Sequence, residues 1–246
     1  MKALLNFRWE ELRRGLRHAS FLPHLPLIFV NPYYSIRASL YQSVKKLAPK
    51  CEGRILDVGC GSQPYRHLFK NKEYLGIDVD VSGHDHDSSS IDLYFDGSHI
   101  PFDDSSFDSL LCFEVLEHVS DLETLLQEMS RVIKPGGRLL VSVPFVWNEH
   151  EMPYDFRRFT GIGLEKKLMS FGFSQIETLQ TTHTLETLCQ LLAVYITETY
   201  LKRPWFLKYA LAPFLTAPLL ILGKCLSIFP DKSALYHNTV SLFQRD

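Results

Sequence analysis

A doubly wound α/β fold with about seven mostly parallel strands is what this 246-residue chain predicts. Three observations carry that expectation. From Arg54 to Pro144, short apolar runs alternate with helical patterns, the signature of βαβ units. The first run, Ile55 to Val58, feeds directly into Gly59-Cys60-Gly61, a tight turn at the edge where open α/β sheets bind ligands. Hydrophobic residues make up 46% and charged residues 22%, a globular balance that excludes a disordered or collagen-like chain.

The elements follow in order. Tyr74 to Ile77 is a second strand and Ile91 to Phe95 a third; Phe107 to Phe113 is the fourth and Arg138 to Val143 the fifth. Between the last two, Leu122, Leu125, Leu126, Met129, Val132 and Ile133 recur at helical spacing. Ser120 and Glu123 are spaced as a capping box at the start of that helix, and Pro135-Gly136-Gly137 is expected to stop it. After a polar and aromatic loop, Phe145 to Phe159, Thr160 should cap a short helix that runs through Met169. Phe173 to Leu179 is a sixth strand, Thr181 to Tyr236 is mainly helical and apolar, and Asn238 to Gln244 is the final strand. The chain thus divides into a basic and apolar helical extension (1–50), a core (51–181), an apolar helical insertion (182–236) and the last core strand (237–246).

The net charge of −2 argues against a generic nucleic-acid binder, but the charge is segregated. Met1 to Lys50 holds nine basic residues against two acidic ones, whereas Glu73 to Glu128 holds fifteen acidic residues and no Lys or Arg. The five cysteines are scattered with no C-x-x-C pair, which suits a reducing compartment rather than a disulfide or zinc framework. His84-Asp85-His86-Asp87 reads as a solvated loop, and no metal site is expected. The apolar stretches Ser20 to Val30 and Tyr209 to Gly223 are short and broken by prolines, so neither is expected to cross a membrane. Without a secretory layout, the expected location is the cytoplasm.

The central signal is Arg54 to Tyr65, RILDVGCGSQPY. In a dinucleotide site the third glycine would fall at Pro64, and the carboxylate of Asp57 would sit poorly beside a pyrophosphate. Both features favour a nucleoside cofactor with no phosphate and a cationic group near the turn. S-adenosylmethionine is such a cofactor, and Asp78, at the end of the second strand, is placed to accept hydrogen bonds from ribose hydroxyls. On the acceptor side, Trp147 to Thr160 gathers His150, Glu151, Tyr154, Asp155, Arg157 and Arg158 after the fifth strand. His150 is the preferred base because an imidazole ordinarily titrates near ~6.5, and Tyr154 and Asp155 are the other catalytic candidates. Alternatively, these residues cap the next helix and pair with one another, Asp155 with Arg158.

LDVGCG, YLGIDVD, DGSHIPFDDSSFD, FEVLEHV and IKPGGRLLVSVP occur in that order from about Arg54 to Pro144. In this succession the chain resembles the class I S-adenosylmethionine-dependent methyltransferases of the type 11 kind. The resemblance implies a Rossmann-like methyltransferase sheet in which Gly59 and Gly61, flanking Cys60, let the backbone approach the methionine part of the cofactor. It implies that Asp57 faces the cofactor's amino group, Asp78 its ribose and Asp96, beside Gly97, its adenine. Phe113 and Glu114 would complete the wall. The combination of GCGSQPY, YLGIDVD and the HEMPYDFRRFT loop is also similar to methyltransferases found with glycan and cell-envelope biosynthesis.

The expected activity is methyl transfer to a small-molecule, glycan or lipid-linked acceptor, at oxygen first. Carbon methylation of a quinone-like lipid and a non-catalytic binding module are the alternatives. Leu5, Trp9, Leu12 and Leu16 share one helical face among Arg8, Arg13, Arg14 and Arg17, which fits either membrane-surface contact or a lid over the cofactor. Trp205, Phe206, Phe214 and Leu219 to Leu222, with Lys202, Arg203, Lys208 and Lys224 nearby, fit a second contact at the inner face of a membrane, a dimer surface or a substrate entrance.

Overall fold

The computed structural model describes residues 24–70, 72–80, 90–201, 206–231 and 234–246. The basic helix expected near Leu5 to Arg17, the His84 to Asp87 run, and Lys202, Arg203 and Trp205 lie outside the described residues. Two compact units emerge, one made of residues 43–181 and 236–246, the other of residues 1–42 and 182–235.

The first unit is a seven-stranded sheet in the order β3-β2-β1-β4-β5-β7-β6. Its strands are β1 (Ile55–Val58), β2 (Tyr74–Val79), β3 (Leu93–Phe95), β4 (Phe107–Phe113), β5 (Ile133–Pro144), β6 (Phe173–Gln180) and β7 (Asn238–Arg245). β1 to β5 pair in parallel, whereas β7 runs antiparallel between β5 and β6. Every residue of β1 is buried, as expected of a central parallel strand covered on both faces. That explains why its sequence is continuously apolar up to Asp57.

Helix α1 (Tyr34–Leu47) has its first nine residues in the second unit, and the sheet unit holds α2 (Leu122–Val132) and α3 (Gly161–Met169). α2 buries Leu122, Leu125, Leu126, Met129 and Val132, each side chain contributing roughly 1.5–3 kcal/mol relative to exposure. They join Phe107, Leu110, Val141, Leu164, Leu168, Phe173 and Phe243 in one core.

Several local expectations shift. The cap of α2 is Asp121, not Ser120: its carboxylate accepts from the Thr124 amide at 3.2 Å and from the Thr124 hydroxyl at 2.7 Å, removing the need for a capping box. Pro135 to Gly137 do not stop α2, which ends at Val132; Ile133 already pairs with Phe107, and the ladder shifts register before Arg138. β3 begins at Leu93 rather than Ile91. Thr160 does cap α3, accepting from the Gly163 amide at 3.0 Å.

The second unit is helical, with α4 (Thr184–Tyr200), α5 (Phe206–Leu215) and α6 (Ala217–Leu226). Ile28, Tyr34, Ala38, Ala193 and Leu220 form its core. Gln190 ties the entry of α1 to α4, accepting from the Ser35 amide at 3.1 Å and donating to the Pro32 carbonyl at 2.6 Å. α6 comes so close to α4 that a Cβ at Gly223 would stand 3.1 Å from the Glu186 Cα. Pro213 lies inside α5 and Pro218 at the start of α6, so the apolar run forms two short helices. Among the described residues, no helix is long and apolar enough to cross a membrane.

Candidate active site

A cavity of about 400 Å³ opens at the carboxyl edge of the sheet. Gly59 and Gly61 after β1, Asp78 at the end of β2, and Asp96 and Gly97 after β3 line one side. Glu114, Val115 and His118 after β4, the first turn of α2, and Glu151 and Tyr154 from the loop after β5 line the other.

The first side is arranged by main-chain geometry. Gly59 and Gly61 have φ of +70° and +51°, a region where residues bearing a Cβ are strained. A Cβ at Gly59 would come within 2.4 Å of the Val115 side chain, while one at Gly61 would meet nothing within 4 Å. Open space therefore stands beside the second glycine. The Gly61 amide donates to Asp78 Oδ2 at 2.7 Å, and the Val79 amide to Asp78 Oδ1 at 2.8 Å. Asp96 Oδ1 accepts from the Ser98 and His99 amides at 2.8 and 2.7 Å, which pulls its carboxyl down to about 2.

Asp57, Cys60 and Phe113 support the cavity without lining it, whereas Glu114 lines it. Asp57 is buried and accepts from the Tyr74 hydroxyl; burial raises its carboxyl to about 7. Cys60 is buried in the turn, and Phe113 packs edge-on against Tyr65 at 5.2 Å. Glu114 has φ of +54°. It accepts from the Ser142 hydroxyl at 2.6 Å and from Asn238 Nδ2 at 2.5 Å, and burial raises its carboxyl to about 7.

The acceptor-side loop is fastened by ion pairs. Arg158 grips Asp155 with two nitrogens, at 2.5 and 2.7 Å, which holds Asp155 well below the usual carboxylate range. Asp155 also accepts from the His150 amide at 2.9 Å and faces His150 Nδ1 at 3.1 Å. Tyr154 lines the cavity; its carbonyl accepts from His118 Nδ1 at 2.8 Å. The His118 and His150 rings meet edge to face at 4.7 Å. Sequence reasoning gave no role to Glu117, Asp121 or Val79. Glu117 is wholly buried, and Asp121 and Val79 line the cavity; the N-cap position of Asp121 was the available signal.

Comparison with known proteins adds relatives. Residues 56–141 match a methyltransferase domain model. The probable S-adenosylmethionine-dependent methyltransferase of Mycolicibacterium smegmatis is 28% identical over 152 residues, 56% of this chain and 59% of that protein. The 27-O-demethylrifamycin SV methyltransferase of Amycolatopsis mediterranei is 26% identical over 42% of this chain and 45% of its own length. The chain thus spans about half the length of the curated relatives it matches. Among solved structures, an S-adenosylmethionine-dependent methyltransferase from Thermotoga maritima shares the fold with a TM-score of 0.56 at 19% identity, over 98% of this chain and 97% of that one.

Proposed function

We propose that this chain is a class I S-adenosylmethionine-dependent methyltransferase that methylates an oxygen of a small-molecule, glycan or lipid-linked acceptor. The observation that carries the donor side is the charge of the cavity. Asp78, Asp96, Glu114, Asp121 and Glu151 line it, with no lysine or arginine among the lining residues. Such a cavity suits a cationic, phosphate-free ligand, and the open space beside Gly61 leaves room for one to approach the main chain. When bound, S-adenosylmethionine supplies a methyl group already activated on a sulfonium. Gly59 and Gly61 would accommodate its methionine part, Asp78 its ribose and Asp96 its adenine.

What remains for the chain is to align the acceptor, exclude water and take a proton, alignment being worth up to ~7–11 kcal/mol. His150 is oriented for the proton. Asp155 Oδ2 and the Asn148 carbonyl lie 3.1 and 3.2 Å from Nδ1, which leaves Nε2 to receive the acceptor hydroxyl proton as the new O–C bond forms. Tyr154, which lines the cavity, would position the acceptor.

The lipid-linked variant is favoured by α5 and α6, where Phe214, Leu215, Ile221 and Leu222 are exposed. The sequence of the relative that methylates a rifamycin oxygen is consistent with oxygen transfer. The test is transfer of labelled methyl from S-adenosylmethionine into glycan and lipid extracts, with the labelled atom identified. Label on oxygen is expected, abolished by His150→Ala while donor binding persists. Label on carbon favours the quinone-like alternative, and no label in any extract overturns turnover in favour of a binding module.

A further inference from the structure

At the cavity wall, where His118 lines the space, lies a group of side chains that the methyl-transfer reading uses only in part. Glu117, His118 and His150 each offer one ligand-type atom, and those atoms lie within 4.8 Å of one another. Two come from the end of β4 and one from the loop after β5, so no local sequence pattern announces them.

Three features distinguish this group from an ordinary polar cluster. Glu117 has a side chain with 0% exposure, and neither carboxylate oxygen meets a hydrogen-bond partner in another residue. His118 Nε2 stands 3.7 Å from Glu117 Oε1, beyond hydrogen-bond reach, and a buried carboxylate without a hydrogen bond is costly unless it is neutralised. Both imidazoles are oriented from behind. His118 Nδ1 donates to the Tyr154 carbonyl at 2.8 Å, and His150 Nδ1 sits against Asp155 Oδ2 at 3.1 Å. With Nδ1 engaged, Nε2 is the atom each ring presents, the outer-shell arrangement found behind metal-binding histidines. Glu114, Glu117 and Asp155 are also all buried at their carboxylates beside Arg158, and burial pushes the first two up.

We infer that Glu117, His118 and His150 form a binding site for one divalent transition-metal ion, with its open side toward the cavity that His118 lines. Two imidazoles and one carboxylate favour an ion of the Mn²⁺ to Zn²⁺ series over Mg²⁺ or Ca²⁺, which prefer all-oxygen shells. Three protein ligands leave a position for water or substrate. An ion bound at about 2.0–2.2 Å requires the group to contract slightly.

The inference rests on the methyl-transfer reading only for its consequence. With the ion in place, His150 is a ligand rather than a base. The ion would lower the pKa of the acceptor hydroxyl, whose proton then passes to solvent.

The experiment uses the full chain, stripped with a chelator and dialysed, then titrated with Co²⁺ and Zn²⁺. Uptake of one equivalent is expected, with visible Co²⁺ bands of a nitrogen- and oxygen-ligated site. Glu117→Gln, His118→Ala and His150→Ala should each weaken uptake more than tenfold, and Asp155→Asn about 10- to 100-fold. Glu123→Gln, on the exposed side of α2, should not change it. Calorimetric binding of S-adenosylmethionine and the thermal melt report whether each variant is folded. Failure to take up one equivalent, or uptake indifferent to all three ligand substitutions, overturns the site. Uptake without methyl transfer to any acceptor would instead overturn the functional reading and leave the site standing.

Discussion

The two sides of the cavity are built from different material. On the donor side, glycines at positive φ, amides fixed by Asp78 and the strand ends of β1 and β2 set the shape. On the acceptor side, side chains from the end of β4 and from the loop after β5 meet through ion pairs and ring contacts. Main chain locked by a parallel ladder moves little when surface residues change. A side-chain wall on a loop can be rebuilt residue by residue. The contrast suits a donor common to many enzymes and an acceptor that differs among them.

The largest expected effect tests the donor side. Asp78→Ala removes a carboxylate proposed to hold two ribose hydroxyls, each charge-assisted bond being worth roughly 1.5–3 kcal/mol. Calorimetry should show donor affinity down by more than about 100-fold, and an unchanged isotherm would remove Asp78 from the ribose. Next comes the fastening of the acceptor side. Asp155→Asn leaves Arg158 without its ion-pair partner and should cost about 3 kcal/mol of stability in denaturant, with turnover falling while donor affinity holds. Donor affinity falling equally would mean that the two sides are not separable.

A smaller effect separates the two glycines. Gly59→Ala meets Val115 and should lower the melting temperature, whereas Gly61→Ala faces open space and should lose only about 1 kcal/mol to strain. Its main cost should be donor affinity, by about tenfold if the added methyl and the donor compete for a shared space. Equal melting losses with unchanged affinity would make the turn purely structural.

The smallest effect is in protons. Burial raises Asp57 from 3.8 and Glu114 from 4.5 to about 7 in the folded chain. Stability from these groups is full below their unfolded values and is lost as pH rises through about 7, because the folded state holds protons that the unfolded state releases. A cationic donor favours the ionised carboxyls, so its binding should release a fraction of a proton and tighten as pH rises through this window. Calorimetry in two buffers of different ionisation enthalpy measures that release; no difference between buffers would place both carboxyls beyond the donor's influence.

Much of the donor side was legible in sequence because its parts are local. A strand, a two-glycine turn and an acidic residue ending the next strand lie in order from Ile55 to Asp78, and β1 and β4 begin and end where their apolar runs do. Legibility failed where two short-range signals competed. Ser120 and Asp121 are both good caps, and only the fold selects Asp121. Pro135-Gly136-Gly137 looks like a stop but lies inside β5, since β4 already offers Ile133 a partner. The acceptor side was legible as a loop rich in ionisable groups, and the Asp155–Arg158 pair was one of its two readings. Glu117 facing His150 was not legible, because contacts across the sheet edge leave no periodicity in the sequence.

β7 lies between β5 and β6 and supplies Asn238 to Glu114. During synthesis, all of residues 182–235 must be made before that strand exists. Until then β6 has no neighbour in the sheet and Glu114 lacks one of its two side-chain donors. The cavity wall is thus completed late, after the helical unit has emerged from the ribosome. A donor-binding assay on stalled nascent chains would show whether competence arrives only with β7.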